Sequence, residues 1–231
     1  MAEDIRERLV RVREQIARAA ERAGRSAEDV TLIAVSKTFD PTTVQQAVDE
    51  GALDLGENRV QEALTKVAVV QGTVRWHLIG HLQSNKARQA VETFDVIHTI
   101  DSSQLVDRLD RIAGEAGRRP RVLIQVDLAH EPTKSGADEQ ELPGIMDTLD
   151  SARHLNLCGL MTLPPYFESP EGTRPYFRRL HEILDDLNRD RGQDQKLTEL
   201  SMGMSHDFET AIEEGATMVR VGTAIFGSRG E

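Results

Sequence analysis

Ile5, Leu9, Val12, Ile16, Ala19 and Ala23 recur at three- and four-residue steps, so residues 4–23 predict an amphipathic helix, which Gly24 stops. Beyond it the pattern changes to short apolar runs separated by helical stretches. The runs are 31–37, 53–58, 76–80, 96–100, 121–127, 155–161, 196–203 and 218–227. Most are apolar without alternation, as strands covered on both faces should be. Helical periodicity fills 41–50, 58–70, 84–92, 102–116, 138–150, 173–190 and 206–214. Asp40-Pro41, Ser84, Asp101 and Ser205 stand where helices want a capping side chain.

Strands alternating with helices eight times over predict an α/β fold, a (β/α)8 TIM-type barrel with an extra N-terminal helix. A doubly wound open sheet is the alternative, though a wide one. No linker or composition break divides the chain, so residues 1–231 are expected to form a single barrel domain. The least regular stretches, 129–137 and 163–172, become loops after the fifth and sixth strands, on the rim where barrel sites lie.

Charge narrows the partners. Lys and Arg total 28 against 39 Asp and Glu, a net −11, which argues against nucleic acid or an anionic membrane. A single cysteine, Cys158, excludes an internal disulfide and a Cys-rich zinc site, and it reads as core packing. No apolar run is long enough to span a bilayer, and the charged N-terminus lacks a signal core. A soluble cytoplasmic protein is therefore expected. The N-terminal helix either covers the barrel or docks a partner.

Three places carry chemistry. Alternation along TLIAVSK puts Ile33, Val35 and Lys37 on one face. If that face is the barrel interior, Lys37 sits at the mouth above an apolar floor, where desolvation favours the neutral, nucleophilic amine. The other reading is a strand-end lysine in solvent. At the far end, SMGMS (201–205) and RVGTAIFG (220–227) follow the seventh and eighth strands, the usual phosphate-binding place in barrels. Ser201, Met202, Ser205, Gly222 and Thr223 read as a phosphate cup whose backbone N–H groups can approach the oxygens. Equally, Ser205 could simply cap the helix that follows, with the glycines serving turns. Arg220 shares a strand face with Met218 and Gly222 and is aimed inward, where it needs a partner. That partner is either an inward acid (Glu199, Asp54 or Glu57) or an acceptor atom of a ligand. A phosphate cup, a mouth lysine and an inward arginine together suit pyridoxal 5′-phosphate (PLP).

LIAVSK (32–37), LGENRVQE (55–62), WHLIGHLQSNKAR (76–88), KSG (134–136), GLMTLPP (159–165) and SMGMSHDFETAIEEGATMVRVGTAIFG (201–227) occur in one order along the chain. In these stretches the sequence resembles the pyridoxal-phosphate homeostasis family, single-domain relatives of the alanine-racemase barrel. The resemblance implies Lys37 as the Schiff-base lysine and Arg220 as partner of the pyridine nitrogen. It implies Ser201, Met202, Gly222 and Thr223 around the phosphate, and Asn58 lining the ring. Asp127 and His206 depart from the commonest family pattern.

The expected function is to hold PLP on Lys37 and take part in vitamin B6 homeostasis and supply, with little or no turnover. PLP-dependent apo-enzymes are the expected recipients, and a monomer the expected state. Arginine opposite the ring nitrogen makes a weak electron sink. The second base that racemases draw from an added domain is not evident; Tyr166 and Tyr176 follow the sixth strand and could reach the mouth or simply pack. The alternatives are a slow PLP-dependent amino-acid racemase, and a sugar-phosphate aldolase or isomerase using the same cup. No metal site is expected: His77 and His81 are four apart but on a strand and its end. Lys134 and Lys86 either contact an anion or lie in solvent, and Glu57 and Glu62 are given no catalytic role.

Overall fold

The computed structural model describes residues 4–129 and 135–227. Helix α1 (Ile5–Arg22) opens with a capping box, Asp4 accepting from the Glu7 N–H and Glu7 from that of Asp4. Its buried face is Leu9, Val12, Ile16, Ala19 and Ala20, essentially the stripe read from the sequence.

Strands β1 (Thr31–Val35), β2 (Asp54–Glu57), β3 (Arg75–Leu78) and β4 (Val96–Ile100) are followed by β5 (Arg121–Gln125), β6 (Asn156–Met161), β7 (Glu199–Met204) and β8 (Met218–Val221). All pair in parallel in chain order, and β1 pairs β8, closing the barrel. Helices α2 (Pro41–Asp49), α3 (Val60–Val67), α4 (Ala87–Thr93) and α5 (Ser103–Ala116) return the chain between the first five strands. Helices α6 (Leu142–Ser151), α7 (Arg174–Asn188) and α8 (Phe208–Glu213) do so between the rest, and a short α9 (Thr223–Phe226) follows β8. Helix α1 packs against α2, α8 and α9, over the seam where β8 meets β1. The sequence left two uses open for it, and it covers the barrel. Its ion pairs to α8, from Arg22 to Glu209 and Glu213, are half exposed and contribute about 1 kcal/mol or less each, so the buried stripe anchors it.

Two boundaries differ from expectation. The seventh run forms strand only from Glu199, and the eighth ends at Val221. Apolar character continues through Ala224, Ile225 and Phe226, but these form the α9 turn and bury Ile225 and Phe226 against the outer core. An apolar run alone does not tell a strand from a buried helical turn.

The apolar residues form two separate cores. The larger lies between strands and helices. The smaller fills the barrel: Ile33, Val96, Leu123, Cys158, Met161 and Met218. The rest of the interior is polar. Arg121 pairs with Glu199, and Asp54, His77, His98, Ser201 and Arg220 run in a hydrogen-bonded row. No described helix is long and apolar enough to cross a membrane.

Candidate functional site

A cavity of about 440 Å³ opens at the C-terminal ends of the strands. Lys37, Asn58, Arg220, Gly222 and Thr223 line it, joined by Ser205, His206 and Met204, with Val35, Ile79, Leu163 and Pro164 as apolar wall. Six of the eight binding residues read from the sequence, Lys37, Asn58, Ser205, Arg220, Gly222 and Thr223, thus meet in one place.

Ser201 and Met202 do not reach the cavity wall. Strand alternation decides this: Ser201 points into the barrel beneath Arg220, and Met202 points out to the helices, fully buried in the outer core. Alternation then breaks at Gly203, whose φ of 88° is open to glycine and whose added Cβ would lie 2.6 Å from that of Ala211. The β7–β8 register shifts at the same point, and Met204 and Ser205 therefore turn to the cavity. Ser205 does not cap α8; the N-cap position falls to Asp207, whose side chain makes no capping bond and instead accepts from the Met204 N–H in the preceding loop. The Ser205 Oγ instead accepts from the N–H groups of Gly222 and, more weakly, Ala224, at 3.0 and 3.5 Å. It ties the loop after β7 to the start of α9.

Arg220 is buried on the cavity floor. None of the three acids named for it is its partner. Asp54 bonds Arg75 and His77, and Glu199 bonds Arg121. Glu57 lies on the opposite face of β2, because Gly56 is the inward residue. Arg220 donates instead to the Ser201 Oγ at 2.6 Å and the Thr162 carbonyl at 2.9 Å. Burial pushes its pKa down to about 10, with Asp207 opposing, so it stays charged at neutral pH.

Lys37 follows β1 in a turn, half buried. Both its neighbours are gripped by a cluster the sequence reading passed over. Lys66 of α3 is 2% exposed and donates three times: to the Ser36 carbonyl (2.7 Å), Glu57 Oε1 (2.6 Å) and Glu62 Oε1 (2.8 Å). Those are all the donors an ammonium has. The Ser36 hydroxyl donates to Glu57, and the Thr38 N–H to Glu62. Thr38 sits at φ 71°, a left-handed conformation that costs a β-branched residue about 1–3 kcal/mol and persists only when surroundings fix it. Burial pushes the Glu57 carboxyl above its ordinary range despite Lys66 and Ser36, and its Oε2 is buried without a hydrogen bond. Burial also opposes ionisation of Glu62, but the Lys66 and Thr38 bonds outweigh it and hold that carboxyl low. Lys66 was legible only as one of five lysines; its place at the fourth position after Glu62 was the available signal.

Asn58 is placed by a close backbone approach. A Cβ on Gly80 would fall 2.3 Å from the Asn58 carbonyl oxygen, so the chain after β3 must be bare there for the loop after β2 to seat. A smaller cavity, lined by Arg59, His81 and Lys86 among others, shares Asn58 with the first. Tyr166 is exposed at the rim, its ring 5.4 Å from that of His206, while Tyr176 packs on Phe167. His77 and His81 part company, one to Asp54 and His98, the other to Asp101. Cys158 lies in the barrel core. Lys134 lies outside the described residues.

His98 is fully buried, and burial together with His77, Arg220 and Arg121 keeps it far below its ordinary value of 6.5. The unfolded chain protonates this imidazole below about pH 6.5 and the folded chain does not. His98 therefore favours the fold above that pH, and the benefit is lost as pH falls, by up to about 1.4 kcal/mol per unit. Urea unfolding of wild type and His98→Gln at pH 7 and 5 should show the variant losing less stability, by close to one proton. Equal losses would mean that His98 is protonated in the fold.

The parallel barrel, with a lysine after its first strand and small residues after its last two, defines the class: an alanine-racemase-type barrel. The family model for the alanine racemase N-terminal domain matches residues 8–230. A pyridoxal phosphate homeostasis protein of Aquifex aeolicus (strain VF5) is 43% identical over 96% of this chain and 97% of its own length. That of Escherichia coli (strain K12) is 40% identical over 98% and 97%. PipY of Synechococcus elongatus PCC7942, solved with PLP bound, superposes with a TM-score of 0.86 at 41% identity, over 97% of this chain and all of PipY. An alanine racemase of Clostridium difficile 630 shares the fold at 16% identity and TM-score 0.74. The chain belongs to the pyridoxal phosphate homeostasis protein family.

Proposed function

We propose that this protein holds PLP covalently on Lys37 and takes part in cytoplasmic vitamin B6 homeostasis and supply, with little or no turnover. The observation that carries this is a single cavity lined by Lys37, Arg220 and the Ser205–Gly222–Thr223 wall. The donor set fits a flat phosphorylated aldehyde: an amine at the mouth, a guanidinium on the floor, hydroxyls and a small-residue loop at one side, and apolar walls for a ring. Relatives named for homeostasis at about 40% identity, and PipY with PLP bound, support the same reading.

When bound, PLP supplies a reactive aldehyde and an electron-withdrawing ring. Lys37 Nζ would take the aldehyde carbon, and the turn that Lys66 and Glu62 grip on either side sets its direction. Ser205, Gly222 and Thr223 would hold the phosphate. Asn58 would line the ring, while Val35, Ile79 and Leu163 exclude water from its faces. Ser201 and Met202, expected beside the phosphate, serve at one remove. Ser201 positions Arg220, and Met202 packs behind the strand. Arg220 is a donor that keeps its protons at neutral pH, so facing the ring nitrogen it would leave that nitrogen unprotonated. That weakens the ring as an electron sink and suits storage and delivery, as a monomer, to PLP-dependent apo-enzymes.

One observation favours a second reading, slow racemisation: His206 lines the same cavity and offers a further acid or base. Racemisation of alanine lost in His206→Ala would support it.

The test is an absorption spectrum after incubation with PLP, followed by borohydride reduction and peptide mapping. A new band, fixed by reduction as an adduct on Lys37, is expected. No band and no adduct would remove the cofactor and bring a sugar-phosphate aldolase or isomerase to the front.

A further inference from the structure

The charge on the cavity floor has a counterpart at the far end of the barrel. Arg220 on β8 and Asp54 at the start of β2 are both register partners of Ile33 on β1, whose side chain stands in the apolar interior between them. They connect the long way round, through the row of buried side chains on β7, β4 and β3. Arg220 Nη1 lies 2.6 Å from Ser201 Oγ, Ser201 Oγ 2.9 Å from His98 Nδ1, His98 Nε2 2.9 Å from His77 Nδ1, and His77 Nε2 2.8 Å from Asp54 Oδ1. Every member is at most 6% exposed.

With both imidazoles neutral, the protons in this row have one consistent arrangement. Arginine only donates, so Ser201 Oγ accepts from it, and the one serine proton goes to its other neighbour, His98 Nδ1. His98 then carries its proton on Nε2 and donates to His77 Nδ1. His77 donates from Nε2 to Asp54, which as a carboxylate only accepts. Burial opposes ionisation of Asp54, but the His77 and Arg75 hydrogen bonds hold its carboxyl below the ordinary range. All four bonds thus point from cation to anion, and bonds aligned this way polarise one another.

We propose that Asp54, His77, His98 and Ser201 are positioning residues for Arg220. The row fixes Nη1 and carries the negative charge of Asp54 to the serine oxygen. The guanidinium then faces the cavity in one orientation with its charge partly balanced. This rests on the reading that Arg220 faces the ring of PLP. The other charged groups at hand are Arg121, paired with Glu199, next to His98, and Asp207 acting on Arg220.

Two measurements test it. In cofactor-free wild type, nitrogen NMR of the imidazoles should show His77 and His98 protonated on Nε2 and bare on Nδ1 at pH 7. In protein loaded with PLP, Asp54→Asn should move the pH midpoint of the bound absorption band to lower pH, because a less balanced guanidinium disfavours added protons nearby. His98→Leu should move it the same way, and in that background Asp54→Asn should add nothing. Additive shifts, or a proton on His98 Nδ1, would overturn the proposal. If the His98→Leu variant does not fold, the imidazole spectra and the Asp54→Asn shift still decide. A wild type that forms no adduct on Lys37 would remove the PLP reading, while the imidazole spectra would still report on the row.

Discussion

Thr223→Asp is expected to weaken retention of PLP by roughly a hundredfold while leaving thermal stability unchanged. Thr223 lines the cavity, is exposed, and is the first residue of α9. A carboxylate there costs the fold nothing, since acids are favoured in the first turn of a helix. It does oppose a bound phosphate, which carries close to two negative charges at pH 7. Unit charges about 4 Å apart repel by roughly 4 kcal/mol near a protein surface, and the open mouth reduces this to about 3 kcal/mol. That is the equivalent of roughly two orders of magnitude in affinity. Thr223→Asn has the same shape without the charge and should retain PLP to within a few-fold. Absorbance titration of both variants with PLP measures the difference. Near-equal affinities would place the phosphate elsewhere.

Much of this site was legible because barrels obey periodicity. Parity along the strands aimed Lys37, Arg220 and Gly222 inward, and the family resemblance added Asn58; all four line the cavity, while Ser201, inward by the same parity, lies below it. Parity also explains what went astray. It holds only while a strand is regular, and at Gly203 β7 is not. Ser201, Met202 and Ser205 were read into one wall together from a motif, and of the three only Ser205, past the irregularity, lines it. The acids proposed for Arg220 failed for another reason. Buried polar groups choose partners across the barrel, a separation that sequence spacing does not encode. His98 meets Ser201 from 103 residues away. Lys66 was hidden by its own type: a lysine on a short helix reads as solvated, and only the fold shows its ammonium sealed between Glu57, Glu62 and the Ser36 carbonyl.

That sealed ammonium supports the other large effect. Lys66→Met is expected to lower stability by about 3–5 kcal/mol, because removing one partner of a buried pair leaves the other uncompensated. The groups left behind are specific. Glu57 is fully buried and already has one oxygen without a hydrogen bond; it would lose its strongest donor. The Ser36 carbonyl would lose the Lys66 bond, and Glu62 would hold Thr38 alone. Adding Glu57→Leu to Lys66→Met should recover more than half of the loss, since apolar replacement of a whole buried pair is often near neutral. Urea unfolding at constant denaturant dependence measures both. The double variant separates stability from positioning. With the fold restored but the Ser36 carbonyl unheld, reaction of PLP with Lys37 should remain slower than in wild type. Full recovery of that rate alongside stability would show that the cluster holds the barrel together without directing Lys37. A single variant as stable as wild type would mean that the Lys66 ammonium had found water.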